Sequence, residues 1–248
     1  MSNLDLVCHF YGPSSLETID TIYHLDYELS QFMKTAAHRI GLKNCLFVVT
    51  ADHGIGPIPE LAAKNGQTLA KRIMAGPLIN EANEHILKLH GLSGVVKGYE
   101  PTYFKLNNEL LASLDAKTQK TIINDLKTFL AQKPGIRYVW TRQELQDAPY
   151  TPGQREYCYK TQIYPGRIGD LICMPQPYCQ ITHYPTGTSH MSPYEYDTHV
   201  PLILYQAGKL EHKTITDKVF MTQLAPTMAH IMGINRPATA MEPILPGI

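Results

Sequence analysis

The sequence Val48-Val49-Thr50-Ala51-Asp52-His53-Gly54 is the strongest indication of the fold. It ends an unbroken apolar run that starts at Cys45, which predicts a strand buried on both faces, as in a mostly parallel sheet. The polarity then inverts to a carboxylate, an imidazole and a glycine. Ligands in open α/β sheets bind beyond the carboxyl ends of strands, and Asp52 and His53 carry donors that suit zinc. Gly54 lets the chain turn away and leaves room beside them. Taken alone, the stretch is equally consistent with a ligand site and with a strand that is followed by an ordinary polar turn.

The segment before this strand is the clearest helix of the sequence. Ser14 and Glu17 form a capping-box pattern, and apolar residues then recur every three or four positions as far as Ile40. Gly41 suits the position after a helix. A helix that feeds a buried strand is half of a βαβ unit, so the fold class predicted is α/β.

The middle of the chain predicts a small α+β insertion that packs on the main sheet and carries no strong chemical motif. The Tyr-, Pro- and Gly-rich segment 150–167 predicts a loop. The insertion would comprise a helix at 77–91, a strand at 103–106, a helix at 118–132 and a strand at 136–140. The predicted organisation is a first part of the core at 1–60, a cap-like insertion at 61–165 and a second part of the core at 166–248, with a strand returning at 170–174.

Composition excludes several functional classes. The chain has 22 basic and 22 acidic residues, so no global field favours nucleic acid or an anionic membrane. No apolar run reaches a membrane-spanning length, and the first residues show no signal segment. The five cysteines lack CxxC spacing, which argues against a cysteine-built zinc site. Cys45 and Cys173 lie in apolar runs and are expected to be inert core thiols, whereas Cys158 and Cys179 could pair if the protein is exported.

Two further clusters repeat the chemistry of Asp52 and His53. Asp5 and His9 are four residues apart, which places both on one face of a helical turn. Because the run ends in Gly12-Pro13, a site carried on a loop is expected. No strand precedes it, so the chain is expected to begin in the middle of a domain.

The third cluster is a dense polar loop that leads into an apolar strand at 200–205. It contains His190 and His199. Any one residue of this loop, taken alone, is more commonly an ordinary polar loop residue. The pairs Asp5–His9 and Asp52–His53 with His199 nevertheless make five oxygen or nitrogen donors. Five are too many for one tetrahedral zinc and about right for a two-metal site completed elsewhere. Such sites suit in-line displacement at phosphorus.

Taken together, the motifs of this sequence resemble those of a known family. It is similar to the alkaline phosphatase superfamily, with the nearest likeness to the zinc-dependent, phosphate-insensitive alkaline phosphatases and the type I phosphodiesterase–nucleotide pyrophosphatase group. The resemblance implies a three-layer αβα fold with a mostly parallel central sheet. The motifs that carry it are Asp5-x-x-x-His9-x-x-Gly12-Pro13-x-Ser15, Thr50-Ala51-Asp52-His53-Gly54, Arg167-x-Gly169-Asp170, Gly187-Thr-Ser-His190-x-Ser-Pro-Tyr-x-Tyr-Asp197-Thr198-His199-Val200-Pro201, and Ala225-Pro226-Thr227 before Gly233-Ile234.

The resemblance also implies roles for these residues. Asp5, His9 and His199 are expected to hold one zinc, Asp52 and His53 to help hold a second, and His190 to lie near the site. In the family, an Asp on the first strand and a Ser or Thr nucleophile lie upstream of the segment that matches Asp5. The catalytic nucleophile is therefore expected outside this chain, which would be the C-terminal portion of the enzyme and nearly inactive alone.

The function implied is that of a phosphomonoesterase with two zinc ions, acting on a small phosphate ester in the periplasm or outside the cell. The alternative within the superfamily is a phosphodiesterase or nucleotide pyrophosphatase. The alternative of another class is a non-catalytic metal-binding or structural module. The sequence leaves the substrate and the oligomeric state open.

Overall fold

The computed structural model describes residues 2–164 and 167–248. The helices of these residues are α1 (Ser2–Tyr11), α2 (Leu16–Arg39), α3 (Pro59–Lys64), α4 (Ala75–His90), α5 (Asn108–Ala112), α6 (Ala116–Ala131), α7 (Arg142–Asp147), α8 (Arg155–Thr161), α9 (Glu195–Thr198) and α10 (Leu224–Met232). The strands are β1 (Phe47–Thr50), β2 (Lys71–Met74), β3 (Val96–Glu100), β4 (Tyr103–Leu106), β5 (Ile136–Thr141), β6 (Leu171–Pro175), β7 (Cys179–Thr182) and β8 (Leu202–Tyr205).

The chain divides into two compact units. The first comprises Met1–Arg39 and Val48–Ile203, and it contains every candidate site residue. The second comprises Ile40–Phe47 and Leu204–Ile248. Within the second unit, the hydroxyl of the fully buried Thr227 on α10 accepts the backbone N–H of Leu245 at 2.8 Å, which ties the C-terminal segment to that helix.

The main core of the first unit lies on an antiparallel sheet. Its strand order is β3-β4-β6-β5, and α4 and α6 contribute fully buried side chains such as Ile86, Leu126 and Leu130. Beside it, β2 pairs with β7 in parallel, with Arg72 opposite Gln180. β7 leads directly into the loop that carries His190, which is predicted to lie near the site.

The first strand differs from its prediction. In the described residues β1 pairs with β8 in a two-stranded sheet. Val49 and Thr50 are exposed and no residue of β1 is fully buried, so the prediction of burial on both faces is wrong. An apolar run indicates that a strand tends to be buried, but it does not show which elements cover the strand. In the described residues β1 has only one strand neighbour.

The long helix α2 confirms the predicted spacing but not the burial that the spacing suggests. Thr18 is its one buried residue among those described, and Leu16 and Phe32 are 80% and 62% exposed. The helix is anchored at its start, where the hydroxyl of Thr18 donates to the carbonyl of Gly12 at 2.9 Å. Further along, Ile19, Ile22 and Phe32 are exposed, whereas Leu25 and Leu29 are half-buried.

Three other predictions need correction. Asp5 and His9 lie on helix α1 and not on a loop. The predicted loop 150–167 contains α8, because Tyr159 is buried against Trp140 in a second apolar cluster; its residues 165 and 166 lie outside the described residues. Cys158 and Cys179 are both free thiols, the first exposed and the second buried.

The two cysteines that are predicted to be inert core thiols differ in burial. Cys173 is buried, which raises the pKa of its thiol, as expected for an inert core residue. Cys45 is only half-buried.

Across residues 2–164 and 167–248, no helix combines the length and the apolar character needed to cross a bilayer.

Candidate metal centre

The first helix supplies a carboxylate and an imidazole on one face. The Nε2 atom of His9 lies 3.4 Å from Oδ1 of Asp5, as four-residue spacing on a helix dictates. The other ring nitrogen, Nδ1, lies 2.7 Å from the carbonyl oxygen of Thr188. A carbonyl oxygen can only accept, so Nδ1 carries a proton, and Nε2 is the ring nitrogen that faces Asp5. This is the arrangement that orients metal-ligating histidines.

The turn after β1 supplies the second pair in the same way. Nδ1 of His53 donates to the carbonyl of Gly54 at 2.9 Å, so Nε2 is the ring nitrogen that faces the carboxylates. That Nε2 atom lies 3.9 Å from Oδ1 of Asp5 and 3.8 Å from Oδ2 of Asp52. The structure thus brings both predicted pairs together. The side chain of Asp52 is 90% exposed and faces solvent.

His190 completes the cluster. Its donor atom and those of Asp5 and His9 all lie within 4.8 Å of one another. Its ring lies over that of His53, with 3.5 Å between centroids and 13° between planes, and 5.2 Å from the ring of His9. Burial, and then the neighbouring His53 and His9 rings, lower the pKa of His190. A neutral imidazole is the form that binds a metal.

His199 is placed differently. It caps the C-terminus of the short helix α9, where its backbone N–H donates to the carbonyl of Glu195 at 2.9 Å. The residue is exposed, and the three-residue cluster within the described residues is formed without it. The family resemblance implies a ligand role for His199 and only a nearby position for His190, whereas the donor cluster found among the described residues contains His190.

Two residues that sequence reasoning missed hold the site together. Thr188 is buried and binds the His9 ring as described above. Asp197 is also buried, and its Oδ2 atom accepts the N–H and the hydroxyl of Ser192 at 2.8 and 2.6 Å. Burial raises the pKa of Asp197. Both residues belong to the motif 187–201 that carries the family resemblance, but the motif alone gives no role to either.

Gly54 is required for close approach and not for a sharp turn. Its N–H donates to the carbonyl of Asp197 at 2.8 Å, and a Cβ atom at this position would lie 2.2 Å from the carbonyl oxygen of Tyr196. Only a residue without a side chain allows the two backbones to meet here. The room that Gly54 leaves is occupied by the backbone of Tyr196 and Asp197 on α9.

A cleft of about 310 Å³ opens beside His190. Its walls include Pro57, Tyr178, Met191 and Asp197. Its volume suits a small organic group, and its position would place that group next to the donor cluster.

Comparison with known proteins now assigns the family. Residues 1–200 match the family model of type I phosphodiesterase / nucleotide pyrophosphatase. The chain belongs to this family. The match confirms the predicted resemblance to the alkaline phosphatase superfamily.

The curated relatives are longer proteins. The chain is 24% identical over 246 residues to alkaline phosphatase PafA of Elizabethkingia meningoseptica, covering 97% of this chain and 43% of that protein. It is 28% identical over 246 residues to a protein named calcium-transporting ATPase of Myroides odoratus, covering 96% and 43%. The chain therefore spans less than half the length of these relatives.

The crystal structure of wild-type PafA shows the same fold. It superposes with a TM-score of 0.83 at 21% identity, covering 98% of this chain and 45% of PafA. The prediction of an alkaline phosphatase-like α/β fold is confirmed.

Proposed function

We propose that this chain carries zinc ligands of a phosphate ester hydrolase of the alkaline phosphatase type, which acts on small phosphomonoesters with two zinc ions. The observation that carries the proposal is the convergence of the Asp5, His9 and His190 donor atoms within 4.8 Å. The His53 ring stacks directly on this cluster. Its Nε2 atom and the Asp52 carboxylate supply donors for a second ion beside it.

The donors fit zinc in chemistry and in protonation. One carboxylate and two imidazoles with an open side match the protein ligands of catalytic zinc sites. The ring protons of His9 and His53 are held on Nδ1 by carbonyl oxygens, so each Nε2 atom is free to bind. We propose His190 rather than His199 as the third ligand of the first ion. Bound zinc would neutralise negative charge that develops on the phosphoryl oxygens.

The remaining parts of the proposal follow the superfamily resemblance. The nucleophile would be a Ser or Thr upstream of the segment that carries Asp5, outside these 248 residues. The organic part of the ester would lie in the cleft beside His190. Periplasmic or secreted location is likewise an expectation from the resemblance.

A second candidate is a phosphodiesterase or nucleotide pyrophosphatase. The name of the matching family favours it. The ligand set would be the same in both cases, so the metal centre does not separate them; the substrate does.

The first test is zinc binding by the purified chain, measured by titration calorimetry and by elemental analysis. Asp5→Asn should weaken binding strongly. Asp20→Asn is the matched control, because Asp20 and His24 form the same four-residue pair at 3.7 Å on α2 while both side chains are at least 75% exposed. Equal zinc affinity in the two variants, or no zinc in the unmutated chain, would overturn the metal assignment.

The second test is hydrolysis by the natural polypeptide that contains these residues. We expect p-nitrophenyl phosphate to be hydrolysed faster than bis(p-nitrophenyl) phosphate, and Asp5→Asn to abolish both reactions. Faster diester hydrolysis would select the phosphodiesterase. Zinc binding without hydrolysis of either ester would leave a non-catalytic metal-binding module.

A further inference from the structure

Arg72 is a nearly buried arginine whose contacts lead toward the metal centre. Its side chain is only 7% exposed. It lies on β2 and donates from Nε and Nη2 to the two carboxylate oxygens of Glu60, each at 2.8 Å. A buried charge is tolerated only when it is paired and hydrogen-bonded, and this two-point ion pair supplies the counter-charge.

The same guanidinium also holds the loop that precedes His190. Nη2 donates to the carbonyl of Gly187 at 2.6 Å, and Nη1 donates to the carbonyls of Tyr184 and Thr186 at 3.3 and 3.5 Å. A guanidinium has five N–H donors, and the two contacts to Glu60 with these three use all of them. Lysine has three donors and no fixed fork, so it cannot reproduce the arrangement.

Gly187 passes directly over the end of α1. Its φ is +76°, and a Cβ atom here would lie 2.3 Å from the carbonyl oxygen of His9. The loop that Arg72 holds is therefore in backbone contact with the helix turn that carries the first histidine.

Thr188 converts this contact into a fixed orientation of the ligands. Its N–H donates to the carbonyl of His9 at 2.8 Å, and its own carbonyl accepts the Nδ1–H of the His9 ring at 2.7 Å. Its hydroxyl donates to the carbonyl of Gly56, three residues after His53, at 2.9 Å. His190 follows two residues later, so one residue joins all three segments that carry histidine donors.

We propose that Arg72 is a positioning residue of the metal centre. By holding the carbonyl of Gly187, it fixes Thr188, which in turn sets the Nδ1–H tautomer of His9 and the placement of His190. The effect on zinc rests on the proposed function, whereas the effect on the His9 tautomer does not require a metal.

The test compares Arg72→Met and Arg72→Lys with a matched control, Lys133→Met. Lys133 is a partly buried cation whose Nζ atom lies 2.5 Å from Oε2 of Glu81, a residue of α4. Its removal therefore also breaks an ion pair of the first unit. Zinc affinity is measured by calorimetry at a temperature at which circular dichroism shows each variant to be folded. Both Arg72 variants should bind zinc roughly 10–100-fold more weakly, as is typical for the loss of an outer-shell partner. Lys133→Met should bind zinc like the unmutated chain.

The second readout is the ring tautomer of His9 in the metal-free chain, read from long-range ¹H–¹⁵N spectra. We expect a single Nδ1–H tautomer in the unmutated chain and in Lys133→Met, and a tautomer mixture in the Arg72 variants. An unchanged His9 tautomer in a folded Arg72 variant overturns the inference, even if zinc affinity falls. If Arg72→Met does not fold, Arg72→Lys decides. If the unmutated chain binds no zinc, the proposed function fails and the tautomer comparison still tests Arg72.

Discussion

The ring of His53 lies flat on the ring of His190, with 3.5 Å between their centroids. Burial disfavours a charge on His190, and two imidazolium cations would repel each other at this separation, so the pKa of His190 is lowered. The stack joins the two proposed zinc sites, since His53 belongs to one and His190 to the other. The lowered pKa favours the neutral form of His190, which is the form that a metal needs.

The stack leads to a prediction about which late histidine binds zinc. His190→Ala should weaken zinc binding by more than the roughly 10–100-fold that the loss of an outer-shell partner costs, because it removes a ligand atom. His199→Ala is the matched control, since His199 is an exposed residue of the same loop. Calorimetric titration of the two variants makes the comparison. A larger effect of His199→Ala would instead support the ligand set expected from the sequence.

This contrast shows what the sequence could predict about the site. Asp5 with His9 and Asp52 with His53 were found because each pair is local: one by helical spacing, the other by its place after a strand. His190 and His199 lie in one polar loop, and the choice between them depends on where that loop crosses α1. The crossing is set by Gly187 and by backbone contacts of Thr188 with His9. The motif contains both residues, but their contact with α1 joins segments that are far apart in the sequence.

In the fold, too, local elements could be predicted from the sequence, whereas long-range contacts could not. The helices α4 and α6 and the strands β4 and β5 match their predictions closely, because caps, Pro and Gly mark their ends locally. The pairing of β2 with β7 joins Lys71 to Cys179, which lie far apart in the chain. Neither strand was predicted, and so the contacts of Arg72 were also out of reach.

Gly187 itself gives a stability prediction. Gly187→Ala should destabilise the chain more than Gly153→Ala. Both glycines have positive φ, at +76° and +95°, but only Gly187 has a backbone atom, the His9 carbonyl oxygen, where its Cβ would lie. Urea unfolding of the two variants separates the clash from the cost of positive φ, which is about 1–2 kcal/mol at either position. Equal losses would mean that the loop can move away from α1 at no cost.

The Glu60–Arg72 pair gives a prediction about pH. The hydrogen bonds from Arg72 hold the pKa of Glu60 below its usual value of 4.5. A carboxyl with a lowered folded-state pKa stabilises the fold above its unfolded pKa, and this contribution is lost as the pH falls through the folded-state value. The stability difference between the unmutated chain and Glu60→Gln should therefore be largest near neutral pH and shrink below about pH 4.5.

Urea unfolding at a series of pH values measures that difference, and Arg72→Met supplies its control. In the Arg72→Met background, Glu60→Gln should change stability by an amount that depends much less on pH, because the cause of the shift is gone. The same pH dependence in both backgrounds would assign the shift to a group other than Arg72.

The core beneath the antiparallel sheet gives the last prediction. Leu126 on α6 is fully buried in the main apolar cluster, whereas Leu87 on α4 is 48% exposed. Leu126→Ala should cost about 2–5 kcal/mol of unfolding free energy, because it removes apolar contacts and leaves a cavity. Leu87→Ala should cost much less, since part of its side chain already contacts water. Chemical denaturation of both variants makes the measurement, and a similar loss in the two would mean that the helix α6 does not pack as tightly as its complete burial indicates.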